Sequence, residues 1–276
     1  MKRIVTIQDI SCVGKCSLTV ALPVISAMGV ETAILPTAVL STHTMFSGFT
    51  CKDLTDQIVP IAEHWKKEKF AFDAVYTGYL GSFEQIEIVS ELFDAFKTES
   101  NLIIVDPVMA DNGKLYPAFD EAYAKENAKL CAKADLIVPN LTEAAFLTGM
   151  PYQTEYDRDY ILRMLDALAK LGPKYVALTG VSFEKGKIGI MGLNTESGEY
   201  FEYYTAHVPV SYHGTGDIFS SVVVGALTRG MSLQEAFQIA CDYTKETIEY
   251  TFKSKGANTY GVDFEVTLPH LIERMV

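Results

Sequence analysis

The chain has 276 residues, 49% hydrophobic and 21% charged, which is enough apolar content for a sizeable core and excludes global disorder. A formal charge of −12 and a pI near 4.9 argue against a nucleic-acid or anionic-membrane partner, so any phosphate must be held by local amides and a metal. Five scattered cysteines (Cys12, Cys16, Cys51, Cys131, Cys241) lack paired metal-ligand spacing and read as free thiols of a reducing compartment. The start, Met1-Lys2-Arg3-Ile4-Val5, looks like a first strand without a secretory segment. No apolar run approaches the ~18 residues of a membrane span, which predicts a soluble, cytoplasmic chain.

Short β-rich runs at residues 3–8, 32–37, 74–78, 102–105, 136–138 and 175–179 read as buried strands. Among them lie segments with a repeat of about 3.6 residues, at 54–67, 84–96, 160–171 and 233–250, which predict helices. The runs at 188–193 and 200–205 flank Asn194-Thr195-Glu196-Ser197-Gly198 and read as an antiparallel hairpin. Alternation of this kind predicts an α/β fold, a three-layer αβα sandwich with a mostly parallel central sheet and a late antiparallel hairpin. With no repeat, low-complexity tract or long linker, one domain over residues 1–276 is expected.

Ligands of open parallel sheets bind beyond the carboxyl ends of the strands. Polar residues gather at those points: Gln8-Asp9, Ser41-Thr42-His43-Thr44, Tyr79, Asp106 with Asp111, Asn140, and Thr179-Gly180. Val13-Gly14-Lys15-Cys16 is not a P-loop, because Asp9 stands where the first Gly belongs and Cys16 where Ser or Thr should follow Lys. Lys15 is then a loop cation, near the site or simply solvated. Asp106-Pro107-Val108-Met109-Ala110-Asp111 offers two acids for a metal or cationic substrate, or equally a turn cap before Pro107. Asn140-Leu141-Thr142-Glu143 has the spacing of a capping box opening a helix at 141–147. The same pair suits a hydrated Mg²⁺, which keeps most of its waters. His43 and His213 have no triad context.

Gly214-Thr215-Gly216-Asp217 precedes the apolar run Ile218-Phe219-Ser220-Ser221-Val222-Val223-Val224. That order predicts a glycine turn opening a buried helix, whose unpaired N–H groups and dipole attract an anion. Asp217 is either a general base for an alcohol beside that anion or an ordinary N-cap.

These motifs together resemble the ribokinase-like superfamily, and within it the pyridoxal kinases, from Thr6 through the helix after Asp217. Gly214–Asp217 resembles the superfamily's anion hole, the Asp106-Pro107 loop its aspartate–proline segment, and Asn140–Glu143 its magnesium motif. Thr6-Ile7-Gln8, Ser41-Thr42-His43-Thr44 and Thr77-Gly78-Tyr79 resemble the vitamin B6 subfamily's substrate segments. Two positions depart: Asp9 replaces the usual Ser facing the pyridine ring, and Ala110 replaces a common Gly. A carboxylate at position 9 would favour a protonated pyridine or an amine-bearing vitamer.

The resemblance implies ATP-dependent phosphorylation of the 5′-hydroxymethyl group of pyridoxal, pyridoxamine or pyridoxine. It assigns Asp217 as base; Gly214, Thr215 and Gly216 as anion hole; and Asp9, Ser11, His43, Thr44 and Tyr79 to the vitamer. Asp111, Asn140, Thr179 and Gly180 fall to ATP, and Asp106, Asn140 and Glu143 to Mg²⁺, through water. It allows for a monovalent cation and implies a homodimer with no nucleic-acid or membrane partner. Hydroxymethylpyrimidine kinases share the fold but commonly carry Cys at the position of Asp217. A non-catalytic sensor would not need Asp217, Asn140 and Glu143 together.

Overall fold

The computed structural model describes residues 1–254 and 260–276. They group into two compact units, one drawn from residues 1–74 and 205–276 and the other from 75–204.

The first unit opens with β1 (Arg3–Val13), α1 (Leu18–Ala27), β2 (Glu31–Thr42), the short β3 (Cys51–Asp53) and α2 (Thr55–Lys67). β1 runs parallel to β2, with Ile4, Val5 and Ile7 wholly buried, as a strand covered on both faces should be. Both strands outrun the predicted 3–8 and 32–37, so Asp9, Ser11, Ser41 and Thr42 lie inside strands rather than after them. The pairing explains why polar residues sit there. Gln8 pairs with Pro36 but Ile10 with Val39, so Thr37 and Ala38 together face Asp9 at a β-bulge. Such bulges re-aim a side chain without ending the strand. β3 adds antiparallel to β2.

In the second unit come β4 (Ala74–Thr77), α3 (Phe83–Phe96), β5 (Leu102–Val105), β6 (Ala110–Asp111), β7 (Lys114–Leu115), α4 (Glu121–Cys131) and β8 (Leu136–Ile137). They are followed by α5 (Leu141–Thr148), α6 (Arg158–Ala169), β9 (Tyr175–Val181), β10 (Lys187–Asn194) and β11 (Glu199–Ala206). The strand order is β11-β10-β9-β8-β5-β4, with β5, β8 and β9 parallel and β10 antiparallel to β9, in line with the expected late antiparallel strands. β6 and β7 form a separate two-stranded ribbon. Its turn, Asn112-Gly113, has φ of 52° and 76°, the paired positive values of a type I′ hairpin and the reason for Asn-Gly there.

The chain then returns to the first unit for α7 (Thr215–Thr228), α8 (Leu233–Lys253) and α9 (Phe264–Glu273). α7 is buried without a break from Ile218 to Ala226 and packs between α1 and α8. The fold is therefore mixed α/β, a mostly parallel sheet flanked by helices. Among the described residues no helix is long and apolar enough to cross a membrane.

Candidate functional site

α7 begins in an unusual way. Its N-cap is Gly214, in the left-handed region at φ 80°, which has no side chain with which to cap the helix. Asp217 is therefore not the cap; it is the third residue of the first turn, where its charge meets the positive end of the dipole. A Cβ on Gly214 would lie 1.7 Å from the carbonyl oxygen of Lys15, so position 214 is closed to any side chain by both conformation and space. A Cβ on Gly216 would meet nothing within 4 Å, so the helix start is open on that side. First-turn N–H groups have no intrahelical acceptor, and Gly214 offers them no side chain. A helix start of this kind is chemically suited to an anion, with a carboxylate in the same turn.

Lys15 does not serve as a free site cation. Its Nζ donates to Asp263 Oδ1 at 3.1 Å and Glu265 Oε2 at 2.6 Å, and it lies 5.6 Å from the Phe264 ring centre. Burial opposes its charge, but the hydrogen bonds and charges of Glu265 and Asp263 win and raise its pKa. The ammonium is thus committed to the start of α9, which fixes the Lys15 carbonyl against Gly214.

The same unit holds Asp9, Ser11, His43 and Thr44. Asp9 is 5% exposed, Ser11 is buried, His43 is buried and Thr44 is exposed. Ser11 Oγ donates to Asp9 Oδ2 at 3.5 Å and receives the Cys16 thiol at 3.6 Å. Ser17 directs its hydroxyl at Asp9 and makes no capping bond to α1, although it occupies that helix's N-cap. It does so at φ 52°, a conformation that costs a non-glycine residue about 1–3 kcal/mol. Burial raises the Asp9 pKa, against the hydrogen bonds from Ser17, its own backbone amide and Ser11. Burial also pushes the Cys16 thiol up to about 12, helped by the charges of Asp217 and Asp9, so Cys16 is an inert neighbour of both acids. The His43 ring lies 5.1 Å from Phe46, 5.4 Å from His213 and 6.1 Å from Tyr260, centre to centre. Burial and the His213 charge lower its pKa, against a backbone hydrogen bond at Tyr260. Cys16 and Ser17 carry no site signal of their own in the sequence, and His213 only that of a histidine without triad context; the fold brings them here.

In the second unit, Asn140 caps α5. Its Oδ1 accepts from the Thr142 and Glu143 amides at 2.8 and 2.9 Å, and Glu143 Oε2 accepts from the Asn140 amide at 2.9 Å, which completes a capping box. Glu143 Oε1 reaches the Met109 amide at 3.2 Å, and Asn140 Nδ2 donates to the Ala110 carbonyl at 2.9 Å. Both side chains therefore also pin the Asp106–Asp111 loop. Thr142 Oγ1 accepts from the Gly113 amide at 3.0 Å, which docks the β6–β7 ribbon on α5. Asp111 lies exposed in that ribbon, bound to Asn112 through both oxygens. Tyr79 follows β4 and packs on Phe119, 5.4 Å between ring centres. Thr179 and Gly180 lie within β9, not beyond it. The Thr179 amide donates to the Pro139 carbonyl at 2.9 Å, and Gly180 is the extra residue where the β9–β10 register shifts.

Glu143 is 3% exposed, and burial followed by the charge of Asp106 drives its pKa well above the usual carboxylate range. Both its oxygens already accept backbone N–H groups, so it is not placed to chelate a metal directly. Among the described residues no group of three or more His, Cys, Asp or Glu forms a metal cage. A buried acid pair with oxygen donors only does fit a hydrated Mg²⁺ reached through its waters.

A left-handed glycine start with an acid in the first turn thus sits on a mostly parallel α/β fold. The family model for phosphomethylpyrimidine kinase matches residues 20–261, and the chain belongs to that family. A Bacteroides thetaiotaomicron protein assigned as a phosphomethylpyrimidine kinase, solved with pyridoxal, superposes with a TM-score of 0.92 at 40% identity, over 98% of this chain and 95% of its own. The pyridoxal kinase of Lactobacillus plantarum gives a TM-score of 0.90 at 32% identity, over 99% and 97% of the two chains. The hydroxymethylpyrimidine/phosphomethylpyrimidine kinase of Bacillus subtilis is 28% identical over 225 residues, 81% of this chain and 79% of its own.

Proposed function

We propose that this protein transfers the γ-phosphoryl group of ATP to the 5′-hydroxymethyl group of a B6 vitamer, giving the 5′-phosphate. The observation that carries this is the start of α7: uncapped first-turn amides beside the Asp217 carboxylate. An alcohol attacks poorly until it loses its proton, and a carboxylate at the attack site supplies the base. The helix dipole favours the ionised form of Asp217 and makes it a modest base, so the proton moves late, once the alcohol oxygen has become acidic. The amides of Gly214, Thr215 and Gly216 stabilise charge on the transferring phosphoryl oxygens. Asp106, Asn140 and Glu143 would orient the waters of a bound Mg²⁺, which would offset the charge of the ATP phosphates. Thr179, Gly180 and Asp111 hold ATP, while Asp9, Ser11, His43, Thr44 and Tyr79 orient the vitamer.

The relatives' names divide between two heteroaromatic alcohols, and Asp217 in place of the Cys common in hydroxymethylpyrimidine kinases favours the B6 vitamer. The two separate in one assay of purified protein. ADP release with MgATP should rise on adding pyridoxal and yield pyridoxal 5′-phosphate in equal amount. A response to hydroxymethylpyrimidine alone would assign the other substrate, and no response to either would remove the kinase reading.

A further inference from the structure

Among the described residues Asp9 is a buried acid with no basic partner. Its described contacts are the hydroxyls of Ser11 and Ser17, its own backbone amide and the nearby thiols of Cys16 and Cys51, and no ion pair among the described residues includes it. Buried carboxylates are normally paired, because removing the charge from water is costly. The surroundings show where a partner would come from. A Cβ on Gly14 would lie 3.1 Å from both Ser11 Cβ and His43 Cδ2, so the β1 face carrying Asp9 and Ser11 leads directly to His43. His43 packs on His213, the residue before the α7 cap, and Cys16 feels the charges of Asp217 and Asp9 alike. Asp9 thus belongs to one connected cluster with the anion cradle. Its bulge and the strained Ser17 aim two hydroxyls at it while supplying no positive charge.

We propose that the missing cation is the substrate's own: Asp9 is a specificity-determining residue that pairs with an ammonium substituent on the heteroaromatic alcohol. Among the vitamers this selects pyridoxamine over pyridoxine. The proposal rests on the kinase reading above and sharpens its substrate class.

The test measures binding by calorimetry and turnover by ADP release, for pyridoxamine and pyridoxine, with wild type, Asp9→Asn and Asp9→Ser. Wild type should bind pyridoxamine at least about tenfold more tightly than pyridoxine. Leaving the ammonium without its counter-charge should raise the KM for pyridoxamine by about 30-fold or more in Asp9→Asn and Asp9→Ser. Pyridoxine should suffer a clearly smaller loss. Equal losses for both vitamers, or no wild-type preference for pyridoxamine, would overturn the assignment. A wild-type ratio near one overturns the assignment even where a variant does not fold. Failure of the kinase reading looks different: no phosphorylated product from either vitamer, whatever the binding ratio.

Discussion

Two helices of this molecule begin at candidate phosphate-side positions, and they begin in opposite ways. α5 is closed: Asn140 and Glu143 satisfy each other's backbone groups in a complete capping box, and their remaining polar atoms hold the Asp106–Asp111 loop. α7 is open: Gly214 starts it in a left-handed turn with no side chain of its own to cap it, and space remains beside Gly216. A closed start contributes stability and fixed geometry, whereas an open one leaves donors for a ligand. The same physics of backbone amides thus makes a fixed joint at α5 and leaves the start of α7 as the proposed reaction site. Capping and function are not competitors at α5, because side chains that cap can still present a buried acid to a cation's waters.

The largest expected effect lies at the open start. Asp217→Asn should keep vitamer binding and lower kcat by about 10²–10⁴, measured by steady-state ADP release. Near-normal turnover would remove Asp217 as base. Gly214→Ala should follow, because its methyl group would drive into the Lys15 carbonyl and misplace the amides. A kcat loss of about 10²–10³ is the scale for losing such donors, and a lower melting temperature should accompany it.

Changes at the closed start should act on stability first. Glu143→Gln replaces one of two carboxylate acceptors with an NH₂ group facing a backbone N–H, costing about 1–3 kcal/mol in denaturant unfolding. Asn140→Ala removes the cap and should cost about 0.5–2 kcal/mol. If either lowered kcat as much as Asp217→Asn while leaving stability intact, the division between scaffold and reaction site would fail.

The smallest effect is a pH dependence in the first unit. Burial and His213 hold the His43 pKa below the ordinary 6.5, so acid protonates the unfolded chain first. The His43 contribution is therefore complete above the unfolded value and lost as pH falls through the folded one. The melting-temperature gap between wild type and His43→Gln should narrow between about pH 7.5 and 5.5. A gap that widened would reverse the sign.

The sequence patterns located most of this architecture because they were periodic. The predicted helices at 54–67, 84–96, 160–171 and 233–250 differ from α2, α3, α6 and α8 by a few residues at their ends. What stayed hidden was polarity inside strands. Asp9, Ser11, Ser41 and Thr179 look like loop residues because hydroxyls and acids seldom continue a buried strand, yet bulges in β1–β2 and β9–β10 let the backbone pair on while side chains turn aside. Asn112-Gly113 carries the hairpin signal for the β6–β7 ribbon, although Asp106 and Asp111 before it read as site acids. At α7 the motif was plain, but whether Asp217 or Gly214 closes the helix depends on a backbone angle that composition does not encode. Lys15 shows the same limit, since its partners Asp263 and Glu265 lie some 250 positions away along the chain.

The contrast between the open and closed helix starts is tested most directly by amide NMR, on adding a non-hydrolysable ATP analogue with pyridoxal. The amides of Thr215, Gly216 and Asp217 should shift strongly and gain protection from exchange. Those of Thr142 and Glu143, already bonded to Asn140, should change far less. Large changes at Thr142 and Glu143 with none at Thr215–Asp217 would mean that the phosphates are held elsewhere and that α7 is not the anion cradle.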